Sequence, residues 1–222
     1  MGKAQLPDSV TSEDVERFRN IPWLHDHWSR SGSRRAYYWY LTFEHCADLH
    51  SLARRCQEAI SFPYYDLTPP GDLHLTLDRV AFDDDVSTGV LGDITAAAIL
   101  ACQQVSAFEI TIGPLGGTAG AIGFSASPGE RLKRLRDKLR AATLSVYPDA
   151  PVGHSEFHAH VAIAYANSDN VPAADAVAAV EKLNATVRTD VKVKVAAGTL
   201  VVLEQRSRSY AWEAVSRIPL AS

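Results

Sequence analysis

Two short stretches of this chain alternate apolar and polar residues, each with a histidine on the polar side, and they constrain the fold more than anything else in it. The first is Gly71-Asp72-Leu73-His74-Leu75-Thr76-Leu77-Asp78-Arg79-Val80. Side chains of a strand alternate between its two faces. Leu73, Leu75 and Leu77 therefore pack on a core, with Arg79 ending on that leucine face. His74, Thr76 and Asp78 share the other face, the imidazole and the hydroxyl about 6–7 Å apart along the strand. The second stretch, Ser155-Glu156-Phe157-His158-Ala159-His160-Val161-Ala162-Ile163-Ala164-Tyr165, reads the same way. It puts His158, His160, Ala162 and Ala164 on one face and Phe157, Val161, Ile163 and Tyr165 on the other. Two strands, each offering a histidine on a polar face, imply one site built from two halves.

The intervening sequence supplies helices and further strands. Leu49, Leu52, Ala53, Cys56 and Ile60 recur at helical spacing, which predicts a helix over 47–60. Helices are also expected over 11–19, 91–105 and 173–183. Ser127-Pro128-Gly129-Glu130 has the form of a capping box opening a helix that runs to about 146. Arg131, Lys133, Arg134, Arg136, Lys138 and Arg140 then form its solvated face. The aromatic run 36–43 reads as a central strand. Strands are expected at 108–112 and 121–125, with Gly113-Pro114-Leu115-Gly116-Gly117 as turn residues between them, and at 191–195, 200–205 and 210–215. Strands interleaved with helices and tight turns predict an α+β fold with antiparallel or mixed sheets. Residues 1–35 read as an N-terminal helix and loop, and 36–222 as a single domain. No glycine-rich loop follows the first strand, which argues against a Rossmann or P-loop nucleotide fold.

Charge and cysteine usage narrow the function classes. A net charge of −4 and a pI near 6.0 disfavour adhesion to long nucleic-acid duplexes or anionic membranes. A small nucleotide or an RNA end in a local pocket stays compatible. Cys46, Cys56 and Cys102 cannot all pair within the chain and read as reduced thiols. With no apolar run long enough for a bilayer and no apolar signal core near the start, the expectation is a cytoplasmic monomer without a membrane partner.

His74-Leu75-Thr76-Leu77 resembles the His-x-Thr-hydrophobic motif of the 2H phosphoesterases, the group containing bacterial 2′-5′ RNA ligase-like proteins and 2′,3′-cyclic nucleotide phosphodiesterases. His160-Val161-Ala162-Ile163-Ala164-Tyr165 resembles the second motif of that family, with Ala162 where the family has Ser or Thr. The resemblance implies a bilobal α+β fold, its sheets flanked by helices around a central cleft. It implies that His74 and His160 are the catalytic pair, one the general base and one the general acid, with the assignment open. Imidazole suits either role because it titrates near neutrality. Thr76 would donate to a phosphate oxygen as charge builds there, with His158 standing in for the hydroxyl that Ala162 lacks. No metal and no cofactor is implied.

The function expected is a metal-independent phosphodiesterase acting on a 2′,3′-cyclic phosphate or a 2′-5′ linkage of RNA or a small nucleotide. The alternatives are a non-catalytic nucleotide- or RNA-end-binding protein, prompted by Ala162, and a scaffold recruited to other small-molecule chemistry. Zinc held by His158 and His160 with His74 or His154 is a further, less supported option. Candidate substrate contacts are Tyr37, Trp39, Arg79, Tyr165 and His27.

Overall fold

The computed structural model describes residues 10–29, 34–153, 156–188 and 190–221. The elements run α1 (Val10–Arg19), β1 (Ala36–Thr42), α2 (Ala47–Ala59), β2 (Tyr65–Leu67), β3 (His74–Phe82), α3 (Thr88–Cys102), β4 (Phe108–Thr118) and β5 (Ala121–Ser127). They continue with α4 (Gly129–Val146), β6 (His160–Ala166), α5 (Ala174–Thr186), β7 (Val191–Val195), β8 (Ala197–Arg206) and β9 (Ser209–Pro219). One sheet has the order β3-β1-β8-β9, the other β2-β6-β5-β4-β7. The named pairs in both are antiparallel. The architecture is α+β with antiparallel sheets, as the order of elements predicts, and it has the two helix-flanked sheets that the resemblance implies.

Helix α2 forms where Leu49, Leu52, Ala53 and Cys56 fall on one side, and all four are buried. Ser87 caps α3 by accepting a hydrogen bond from the Val90 N–H at 3.3 Å. One contiguous core joins both sheets, running from Leu41 and Leu75 through Leu49 and Leu139 to Phe124 and Ile163. Phe18 of α1 belongs to it, with its ring against Gly117.

Two local expectations are corrected. Gly113 to Gly117 is not a turn, because β4 runs straight through it to Thr118. The pairing skips from Ile112↔Ala126 to Leu115↔Phe124, so Gly113 and Pro114 are absorbed as an irregularity within the strand. Ser127 is not a helix cap either. It is the last residue of β5, paired with Thr111, and its side chain makes no cap bond. The three-residue β2 lies within the turn-rich segment before β3, where no strand is expected from the sequence.

A more consequential correction concerns face parity. On β3 the partners run Tyr40↔Thr76, Trp39↔Asp78, Tyr38↔Arg79, Tyr37↔Ala81, which leaves Leu77 and Val80 as extra residues. Each bulge reverses the alternation that follows it. Asp78 therefore turns into the interior, 4% exposed, although strict alternation puts it beside His74. Arg79 emerges on the histidine side instead of the leucine side. Strand β6 does likewise, because Ile163 is extra between Ala162 and Ala164 opposite β5. Tyr165 thereby returns to the side of His160. In both strands the residue five positions after the histidine regains its face.

Buried Asp78 ties these strands together. Its Oδ2 accepts from Arg140 Nε at 2.5 Å and lies 3.9 Å from Arg136 Nε, while its Oδ1 accepts from the Gly153 N–H at 3.2 Å. The Gly153 carbonyl accepts from Arg140 at 2.7 Å and from Arg136 at 3.3 Å. Arg136 is therefore buried in this knot, and Arg140 is largely buried with it, away from the solvated helix face expected of both.

Candidate active site

His74 opens β3, one residue after a single 3-10 turn over Pro70–Asp72, and His160 opens β6 after irregular chain. Their ring contacts repeat one another. His74 Nδ1 donates to the Asp72 carbonyl at 2.8 Å, and His160 Nδ1 donates to the His158 carbonyl at 2.8 Å. A carbonyl only accepts, so both rings carry their proton on Nδ1. This orients Nε2 away from the backbone as a lone pair or, when charged, a second donor.

Both rings line one cavity of about 400 Å³ together with Thr76, Arg79, Tyr165 and His27. Six of the nine residues singled out from the sequence thus meet in one place. His158 lines a second cavity of about 420 Å³, which joins the first through Tyr38, Thr76, Arg79 and His160. Its Nε2 lies 3.6 Å from the Glu156 carboxylate.

Tyr37 and Trp39 are not at the site. Trp39 is fully buried and donates Nε1–H to Thr143 Oγ1 at 3.0 Å. Tyr37 donates its hydroxyl to Asp83 at 2.6 Å. Their neighbours Tyr38 and Tyr40 line the cavity instead. The aromatic run carries no polar marker of which parity faces the core, and the structure selects the opposite one.

Tyr40 matters most for His74. The two rings stack at 4.2 Å with planes 4° apart, and Trp212 meets the imidazole edge-on at 6.4 Å. The Asp72 carbonyl that holds His74 also accepts from Trp212 Nε1 at 3.4 Å. Burial under these rings pushes the His74 pKa down from 6.5 to about 4. The Asp72 carbonyl opposes that shift, and the charge of nearby His160 adds to it. His74 is thus neutral at pH 7, with Nε2 as an acceptor. Burial also drives the Tyr40 phenol well above its usual range, and the Thr76 hydroxyl is hydrogen-bonded to it.

Aromatic rings wall the far end. His27 lies 4.3 Å from the Tyr165 ring, and its Nε2 shares a 2.6 Å hydrogen bond with the Tyr210 hydroxyl. Trp28 packs against Tyr165 and Tyr210, both at 5.2 Å, and anchors its Nε1–H on Asp66 at 2.9 Å. A third cavity of about 360 Å³ continues from here between Trp28 and Trp212. Sequence reasoning missed Tyr38, Tyr40, Tyr210 and Trp212. Tyr210 and Trp212 alternate along the last strand, the one sign that they share a face. Arg79 Nε donates to the Tyr38 hydroxyl at 3.2 Å, so the cation stands at the junction of the two main cavities.

Among the described residues no group of three or more His, Cys, Asp and Glu is placed to hold a metal ion. His154 lies outside them. No described helix is long and apolar enough to cross a membrane.

No curated protein sequence matches the chain. Solved structures do match in fold. TT0787 of Thermus thermophilus superposes with a TM-score of 0.64 at 18% identity, covering 84% of this chain and 97% of that one. Escherichia coli LigT in its apo form gives 0.60 at 16% identity over 86% and 100%. The same protein complexed with 3′-AMP gives 0.63 at 16% over 85% and 99%. The profile of the 2′-5′ RNA ligase superfamily matches residues 49–205, a span holding both histidine strands. The chain belongs to that superfamily, within the 2H phosphoesterases.

Proposed function

We propose that the protein is a metal-independent phosphodiesterase that uses His74 and His160 on a 2′,3′-cyclic phosphate or a 2′-5′ linkage at an RNA end or in a small nucleotide. The observation that carries the reading is the matched pair of imidazoles, both pinned through Nδ1 and both lining one cavity beside Arg79. Escherichia coli LigT, similar in fold, has been crystallised with 3′-AMP, ATP and NADP+, which supports a nucleotide as the ligand.

Neutral His74 is the base. Its Nε2 takes a proton from a water molecule, whose oxygen forms a new bond to phosphorus. The bond from phosphorus to the ribose oxygen breaks, and His160, in its charged form, delivers a proton from Nε2 to that oxygen. Arg79 and the Thr76 hydroxyl stabilise the extra negative charge on the phosphoryl oxygens. Tyr165, Tyr210 and Trp28 offer surfaces on which a base stacks. The ligand is a nucleotide or an RNA end and not a long duplex, and the enzyme acts as a cytoplasmic monomer.

Incubation of chelator-treated protein with 2′,3′-cyclic nucleotides and with a 2′-5′-linked dinucleotide tests this. Turnover should persist without metal. It should fall by about 10²–10⁴ in both His74→Ala and His160→Ala, the span of general acid–base catalysis. Turnover that survives either substitution would overturn the two-histidine mechanism.

A further inference from the structure

Two of the cavities that meet at His74 differ in charge. Arg34, Arg79, His27, His74 and His160 line the one of about 400 Å³, and no aspartate or glutamate does. Asp66, Asp72 and Glu213 line its neighbour of about 360 Å³, with Arg206 and Arg208 opposing them. Three carboxylates against two guanidiniums leave that cavity negative. Asp66 is already engaged: its Oδ2 lies 3.1 Å from Arg208 Nε and accepts from Trp28, and its Oδ1 accepts from Asn167 at 3.1 Å. Asp72 and Glu213 are different. Neither carboxylate has a hydrogen-bond or ion-pair partner among the described residues. Burial, with no cation to offset it, raises the Asp72 carboxyl above its usual range.

Aromatic rings supply the rest of the wall. Trp28, Tyr165, Tyr210 and Trp212 all border this cavity. Both indole N–H groups are taken, by Asp66 at 2.9 Å and by the Asp72 carbonyl at 3.4 Å. The indoles are thus held in place and offer a ligand their π-systems, not donors. The quadrupole of such rings attracts positive charge, most strongly for tryptophan. A free carboxylate gains charge-assisted hydrogen bonds from cationic N–H groups. A ligand without donors or positive charge would leave both carboxylates desolvated and unmatched. The volume is that of a small-molecule site, which spans about 300–1,000 Å³. His74, Tyr165 and Tyr210 border both cavities, so a ligand with its phosphate beside Arg79 reaches into this one.

We propose that this negative aromatic cavity binds a cationic nucleobase, so that the preferred substrate is a nucleotide or RNA end bearing an N-methylated, positively charged purine. The inference rests on the phosphodiesterase reading above and adds the identity of the base. The phosphate lies among Arg79, His74 and His160. The flat ring enters between Trp28 and Trp212, where its delocalised charge meets the indoles and its N–H groups donate to Asp72 and Glu213. A flat aromatic cation matches both the rings and the carboxylates, whereas a compact alkylammonium leaves the stacking surface unused. Asp72 and Glu213 are thereby specificity-determining residues.

Calorimetry on the full chain tests the site without turnover. The probes are guanosine 3′-monophosphate, 7-methylguanosine 3′-monophosphate and phosphocholine. Mildly acidic buffer keeps the N1 proton, and with it the positive charge, on the methylated purine. Wild-type protein should bind the methylated nucleotide about tenfold tighter than the unmethylated one. Glu213→Gln and Asp72→Asn remove charge and keep shape, and each should cut that ratio by about threefold or more. Burial of the methyl group alone would leave the ratio unchanged in both. Glu213 is exposed on β9, so its variant keeps the test intact if Asp72→Asn does not fold. Equal affinities in the wild type, a ratio untouched by the variants, or phosphocholine bound as tightly as the methylated nucleotide overturn the cationic-base site and leave the phosphodiesterase reading standing. Failure of all three probes to bind overturns the two together.

Discussion

His74 lies beneath Tyr40 and beside Trp212, and that packing holds it neutral at pH 7. A histidine titrating at about 4 instead of 6.5 has two measurable consequences. By NMR, the His74 ring should titrate near 4, and in Tyr40→Ala its pKa should rise toward 6.5 as water reaches the imidazole. An unchanged value would show that the stacked ring is not the cause. The shift also couples to stability. Between pH 6.5 and about 4 the unfolded chain carries a proton on this residue that the folded chain does not. Acidification through that window therefore favours unfolding, and the effect levels off once the folded state takes up the proton too. Urea midpoints across the window should fall less steeply in His74→Ala than in the wild type. Residue chemistry of this kind is half legible in the sequence. The identities His74, Thr76 and His160 stand there, whereas the role of Tyr40 does not, because nothing in a run of aromatics says which alternate members face the core.

At the scale of elements, the bulges in β3 and β6 decide which side chains reach the cavity. Strict alternation sends Arg79 and Tyr165 to the apolar side and brings Asp78 beside His74. Leu77 as an extra residue in β3 and Ile163 as one in β6 invert all three placements. Asp78 then neutralises Arg140 and Arg136 in the interior and grips Gly153, where the chain approaches β6. Breaking such a buried pair leaves uncompensated charge. Asp78→Asn should cost about 3 kcal/mol, the lower end for buried pairs, because Arg140 keeps some contact with water. Urea unfolding checks this, and a loss below about 1 kcal/mol would place the pair among solvent-screened surface contacts. The helices are the more legible part. The apolar stripe of α2 is readable at its spacing, whereas Arg136 and Arg140 of α4 have the pattern of a solvated face, and only the fold brings Asp78 opposite them.

For the whole molecule, the two sheets share one hydrophobic cluster that includes Leu75 near one histidine and Val161 near the other. A shared core resists separate melting of its halves. Far-UV circular dichroism and tryptophan fluorescence should therefore report one coincident denaturant transition. Two resolved transitions would mean that the halves fold as separate units and that the site forms only when they dock. The sequence by itself determined the alternating histidine strands, the amphipathic helices and the α+β class, because period-2 and period-3.6 patterns are local properties of the chain. The tertiary structure alone decided that Tyr38 and Tyr40 replace Tyr37 and Trp39, that Arg79 and Tyr165 turn toward the histidines, and that a second cavity opens over Ala162. Those outcomes depend on strand register and on what packs from the other half. A bulge is selected by partners far away in the sequence, and a local pattern carries no record of them.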